Sequence, residues 1–129
     1  MDVVHVELSG YYGVDATGTG AVGRCINEEV RQCGWSGVYA SSGASITLIG
    51  PNTTVHHNCT NGRRNDKGLE IYGSSSTIQL VSPLTKEQVS LDNGGGGDWG
   101  SAAGGDINQI KTIATTATVA SNETEVVPS

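Results

Sequence analysis

The stretch GVYASSGASITLIG, residues 37–50, carries no charged side chain and reads as a glycine, an alternating run, a small-residue turn and a second alternating run. Successive side chains of a half-buried strand point to opposite faces. The pattern therefore predicts Val38 and Ala40 inward with Tyr39 outward, then Ile46 and Leu48 inward with Thr47 outward. Ser41, Ser42 and Gly43 are left to make the corner. Two short strands cannot bury an apolar face alone, so such a unit has to recur and stack.

It does recur. Residues 4–25, VHVELSGYYGVDATGTGAVGRC, align with residues 29–49, EVRQCGWSGVYASSGASITLI. Val6 then falls on Val30, Gly13 on Gly37, Val14 on Val38 and Ala16 on Ala40, each 24 residues apart. A third copy, TTVHHNCTNGRRNDKGLEIYGSSSTIQLV, fills residues 53–81. Val55 follows Val30 by 25 residues, whereas Gly68, Leu69 and Ile71 follow their equivalents by 31. The surplus is a polar insertion at residues 61–67, placed in the turn between the first two strands of the copy. Each copy supplies three strands, and parallel stacking about 4.8 Å apart would pair each with its equivalents. The expected fold is all-β: a parallel β-helix, a single-chain solenoid of about three coils.

The residues Val55, Asn58, Gly68, Leu69, Ile71, Ser74 and Ser75 resemble one coil of the right-handed parallel β-helix repeat, and the resemblance extends over about residues 3–81. That superfamily holds pectate-lyase-like polysaccharide enzymes and also noncatalytic repeat modules. Many of its coils repeat an Asn at the turn, where the side chain satisfies backbone groups of neighbouring coils. Here the column reads Ser9, Cys33, Asn58, so no continuous asparagine ladder is expected. The segment SSSTIQLVSPLTKEQVSLDNGGGGDWG resembles the end of a group of uncharacterised β-helix proteins predicted from marine algae; it implies no activity.

Residues 1–81 are thus expected to form the coils and 82–114 an irregular C-terminal cap. Ser82 and Pro83 break the alternation, Thr85 with Gln88 offers a short capped helical turn, and residues 107–114 offer one final strand. The run Gly94–Gly97 lacks the Lys of a phosphate-binding loop and reads as a flexible linker. Residues 115–129 are acidic, poor in bulky side chains, and expected to be disordered. No cap precedes Val3, which suggests a fragment of a longer protein or self-association through the N-terminal coil.

Composition agrees. A chain of 129 residues has room for one domain, and 19 Gly, one Met and no Phe argue against a helical bundle. The net charge of −6 disfavours duplex nucleic acid. No apolar run reaches the ~20 residues that span a bilayer, and MDVVHVELSG lacks the shape of a secretory signal, so no membrane association is expected. Three N-x-[ST] sequons, at Asn52, Asn58 and Asn122, pull toward an extracellular location without deciding it. Cys25, Cys33 and Cys59 form neither a CxxC pair nor an even set, so buried free thiols are expected rather than disulfides or zinc.

Candidate site residues follow from the stacking. Tyr11 and Trp35 share a turn position, Tyr12 adjoins them, and Tyr39 lies beyond on the outward face. The insertion brings Arg63, Arg64 and Lys67 beside these rings. Aromatic faces next to guanidiniums suit an acidic polysaccharide or a partner protein, so Tyr11, Trp35, Tyr39, Arg63 and Arg64 are the candidate ligand-binding residues. The outward column Asp15, Tyr39, Glu70 would set two carboxyls on the order of 10 Å apart, near the roughly 6.5–9.5 Å of inverting glycosidases. Nothing in the sequence raises the pKa of either, so a solvated strand face is the simpler reading. His56 and His57, adjacent on a strand, should point to opposite faces, and the column Glu7, Arg31, His56 reads as a charged ladder. No metal and no cofactor are called for. The expected function is a noncatalytic ligand-binding module, with a polysaccharide-active enzyme using Asp15 and Glu70, or a structural or protein-interaction solenoid, as alternatives.

Overall fold

Strand-forming runs here are two to five residues long and are separated by corners in which small residues or positive-φ residues turn the chain. A computed structural model describes residues 5–7 and 11–114 of the chain. The first coil carries β1 (His5–Glu7), β2 (Val14–Thr17) and β3 (Val22–Ile26). The second carries β4 (Glu29–Arg31), β5 (Val38–Ser41) and β6 (Ser45–Ile49), and the third β7 (Thr54–His56), β8 (Leu69–Tyr72) and β9 (Thr77–Val81). Every pairing is parallel and joins equivalents in successive coils, giving three stacked sheets in a parallel β-helix.

The register matches the expected columns. Val6 faces Val30, Val14 faces Val38, Ala16 faces Ala40, Val30 faces Val55, Val38 faces Leu69 and Ala40 faces Ile71. Val38, Ala40, Ile46 and Leu48 are buried, while Tyr39 and Thr47 between them are half-buried. One insertion between β7 and β8 absorbs the longer spacing without shifting the pairing on either side.

Residues 82–114 contribute more than one closing strand. Thr85 caps the helical turn α1 (Lys86–Val89), its hydroxyl accepting from Gln88 N at 3.3 Å. Three strands follow: β10 (Ser90–Leu91) pairs with β7, β11 (Trp99–Ala102) with β8, and β12 (Ile110–Ile113) with β9. A 3-10 turn, Ile107–Gln109, with a capping box on Asp106, leads into the last of them. Each sheet thereby gains a fourth strand.

The expected linker is also a packed element. Gly96 N donates to Asp66 O at 2.7 Å and Gly94 N to Asn58 O at 2.9 Å. Gly95 has φ +59, and a Cβ there would lie 2.6 Å from Arg63 O and 2.7 Å from Asp66 O. Glycine lets this loop lie flat against the insertion of the coil above.

The Gly13, Gly37, Gly68 column has a steric cause. A Cβ on Gly37 would sit 2.6 Å from Val55 Cγ1 and 2.8 Å from Asn58 Nδ2; one on Gly13 would meet Val30, Gly37 O and Cys33 in the same way. Each of these glycines leaves room for the corner of the next coil. Cys25, Cys33 and Cys59 are buried free thiols, and burial pushes Cys59 up to about 12, so it stays protonated and inert at neutral pH. The tail 115–129 lies outside the described residues.

Candidate functional site

One corner of the solenoid, between the β1-β4-β7-β10 sheet and the β2-β5-β8-β11 sheet, carries the longest connections. Its aromatic residues meet as the repeat requires. Trp35 N donates to Tyr11 O at 3.2 Å, so the two turns run side by side, and the Tyr11 and Trp35 rings meet edge to face with centroids 4.7 Å apart. Tyr12 meets Trp35 at 5.0 Å and stacks on Tyr39 at 4.0 Å with the planes 4° apart. Tyr72 continues the strip, 6.4 Å from Tyr39. Tyr11 is 65% exposed and Tyr72 46%.

Tyr72 escaped the sequence reading because its equivalents in the first two coils, Thr17 and Ser41, are not aromatic. Its signal was the Ser41↔Tyr72 register, which places a fourth tyrosine beside Tyr39. Burial is the main cause that raises both the Tyr12 and Tyr39 phenols, with nearby acidic groups adding to it. Both hydroxyls remain neutral hydrogen-bonding groups through the physiological range.

The insertion delivers one guanidinium onto this strip. Arg63 Cζ lies 4.3 Å from the Trp35 ring centroid, a cation–π contact. The same side chain forks onto buried Asp66, with Nε 2.9 Å from Oδ2 and Nη2 3.2 Å from Oδ1. Arg63 therefore braces the insertion against Trp35. Arg64 is exposed, and Lys67 turns away, its Nζ donating to Asn65 O at 3.2 Å and its stem lying over Gly100.

The two carboxyls of the catalytic alternative are unequal. Asp15 is exposed and Glu70 is buried, with Tyr39 paired between them in the sheet. The expectation of a solvated face fails for Glu70 because the insertion covers it. Ser36 Oγ donates to Glu70 Oε1, and Lys67 N donates to Ser36 Oγ at 3.0 Å. Burial pushes the Glu70 carboxyl above its ordinary range, against the opposing pull of the Ser36 hydrogen bond and the Lys67 charge. The sequence showed the outward parity of Glu70 but not the loop that closes over it.

Beneath the aromatic strip runs an asparagine network. Asn58 Oδ1 accepts from Cys33 N at 3.1 Å, and its Nδ2 donates to Val30 O and to Asn93 Oδ1, each at 3.0 Å. Asn93 continues downward, donating to Val55 O at 3.1 Å and accepting from Asn58 N at 3.0 Å. The ladder absent from the first coils begins at Asn58 and has a second rung in the fourth coil.

The histidines correct another expectation. The strand ends at His56, and His57 takes φ +55, which turns its ring back. The two Nδ1 atoms come within 2.7 Å, and His56 Nε2 lies 2.9 Å from Glu29 Oε2. Arg31, Gln32, His56 and His57 line a shallow hollow of about 250 Å³. Glu7 faces Arg31 in the strand register, but the side chain of Glu7 in the proposed charged ladder lies outside the described residues. Among the described residues no group of three or more His, Cys, Asp or Glu side chains is arranged around a common point, and no helix is long and apolar enough to cross a membrane.

No family model matches the chain, and neither the curated proteins nor the solved structures include a significant match. Inference about function therefore begins from this corner.

Proposed function

We propose that the protein is a noncatalytic β-helix module that binds carbohydrate at the aromatic corner. The observation that supports this is the strip Tyr11, Trp35, Tyr12, Tyr39 and Tyr72, whose two ends are exposed while its middle is fixed by ring contacts. Rigid rings in a row offer apolar faces to the C–H faces of sugars and phenol hydroxyls to their oxygens. Arg63 is already matched by Asp66, so ring stacking leads in this reading, with Arg64 supplying charge for a carboxylated or sulfated sugar.

A glycan array probed with the chain tests the idea. Tyr11→Ala and Tyr72→Ala are each expected to weaken the best glycan signal at least tenfold, and Trp35→Ala to abolish it by releasing the strip. An array without signal, or a signal indifferent to all three changes, would sink the carbohydrate reading and favour a structural or protein-interaction solenoid.

The pectate-lyase-like enzyme alternative draws support from the raised carboxyl of Glu70, a property a general acid needs. Against it, Glu70 is buried and Asp15 lies on the far side of Tyr39. Hydrolysis or eliminative cleavage of any glycan, lost in Asp15→Asn and in Glu70→Gln, would carry that reading instead.

A further inference from the structure

The acidic composition of residues 115–129 hides a repeat of the coil. Residues 113–124, IATTATVASNET, align without a gap with residues 49–60, IGPNTTVHHNCT, and Ile113, Thr118, Val119, Asn122 and Thr124 match their equivalents. We propose that residues 118–127 add the start of a fifth coil, docking along the open edges of β10 and β11.

The alignment is anchored in the strand pairing. Leu48 pairs with Leu80 and Leu80 with Thr112, so Ile49 and Ile113, each next in its strand, share a column. Four residues separate Ile49 from Thr54, where β7 begins, and four separate Ile113 from Thr118. The length of chain that carries β6 into β7 thus carries β12 to the place below β10. Val119 then enters the inward column Val6, Val30, Val55, Ser90, of which Val30, Val55 and Ser90 are buried. Val127 follows it by eight residues, as Val14 follows Val6 and Val38 follows Val30. That spacing places Val127 in the column Val14, Val38, Leu69, Trp99. Val126 takes the place of the corner glycine, as Asp98 does in the fourth coil.

The receiving edge is described in full. Among the described residues β10 ends its sheet and β11 ends the next, and an edge strand presents backbone donors and acceptors along its open side. Two columns of hydrogen bonds run toward that edge. Gln32 N donates to His57 O at 3.0 Å and His57 N to Asp92 O at 3.2 Å, with the three residues at φ +57, +55 and +54. The next bond in this column is Asp92 N to Ser121 O, and Ser42 already takes φ +57 in this chain. In the second column Asn58 Nδ2 donates to Val30 O and Asn93 Nδ2 to Val55 O. The next donor there is Asn122 Nδ2, and its acceptor is Ser90 O. Asp98 Oδ1 already accepts from Asn93 N at 2.9 Å, so Asn122 joins the ladder through its donor and not its acceptor.

The test is hydrogen exchange of the full chain, read by mass spectrometry, with three single variants. Val119→Asp sets a charge at the inward position and should speed exchange of the Asp92 amide roughly tenfold or more. Ala120→Asp, one residue on and outward, should leave that amide as it is in the unsubstituted chain. Asn122→Ala should speed its exchange by less than Val119→Asp does, because one side-chain bond is lost and the strand remains. The proposal is overturned if Val119→Asp leaves Asp92 exchange unchanged or if Ala120→Asp speeds it equally. It is also overturned if protection of Asp92 grows with protein concentration, which would assign this edge to a second copy of the chain.

Discussion

The side chain of Asn58 ties three coils together, through a backbone amide and a backbone carbonyl of the coil above and a side chain of the coil below. It accepts from Cys33, donates to Val30 and meets Asn93, all inside the wall. Each buried polar group stranded without a partner costs about 1–3 kcal/mol. Asn58→Ala strands Cys33 N and removes the bonds to Val30 O and Asn93, and is expected to destabilise the fold by about 2 kcal/mol in urea denaturation. Asn52→Ala, at an exposed turn, serves as the control and should cost well under 1 kcal/mol. At this scale the sequence was legible where side-chain parity decided burial, as at Val38, Ala40, Ile46 and Leu48. It was illegible where a residue's role depended on the next coil. Asn93 belongs to the Asn58 column at a spacing of 35, longer than either period the earlier copies display. The turn at His57 was hidden because a bulky residue at φ +55 leaves no mark in the sequence.

Among the elements, the insertion and the glycine-rich loop form one unit of two layers. Gly95 and Gly62 both have positive φ, but only Gly95 faces neighbouring backbone. Alanine at either position meets the roughly 1–2 kcal/mol cost of a left-handed residue. Gly95→Ala should cost a further 1 kcal/mol or so because its methyl would strike Arg63 O and Asp66 O. Equal midpoints for the two variants in chemical denaturation would contradict the packed-loop description. The first three coils were readable because Gly13, Gly37 and Gly68 each precede an apolar strand start. In the fourth coil Asp98 precedes Trp99, and Ser90 replaces the column's valine. With its apolar markers gone, that coil resembled a cap, although Ile78 to Ile110 preserved one column.

Across the described coils, the core behind one sheet is narrowest at the first coil. The inward column Gly23, Ile46, Ile78, Ile110 and the column Cys25, Leu48, Leu80 both begin with their smallest member. On the outer face of the neighbouring sheet, beneath the insertion, the fold buries Glu70, and that has a pH consequence. The folded-state pKa of Glu70 lies above its ordinary value of 4.5, so the folded protein binds its proton more readily than the unfolded chain does. The contribution is fully present below about pH 4.5 and is lost as pH rises through the folded-state value. Glu70→Gln keeps an acceptor for Ser36 and removes the titration. Relative to the unsubstituted chain, the variant's melting temperature should be higher at pH 7 than at pH 4, measured by circular dichroism. A difference independent of pH would show that Glu70 is not shifted in the folded state.

The asparagine ladder has a consequence for biosynthesis. Asn58 opens the sequon Asn-Cys-Thr, yet in the folded coil its amide nitrogen is fully engaged. An oligosaccharide can be attached there only while the chain is still open, and once attached it excludes the stacked arrangement. In a glycosylating compartment, coil closure and sugar transfer would compete for the same nitrogen, and the exposed Asn52 would escape that race. A glycan on Asn58 would therefore record a chain that was modified before it folded.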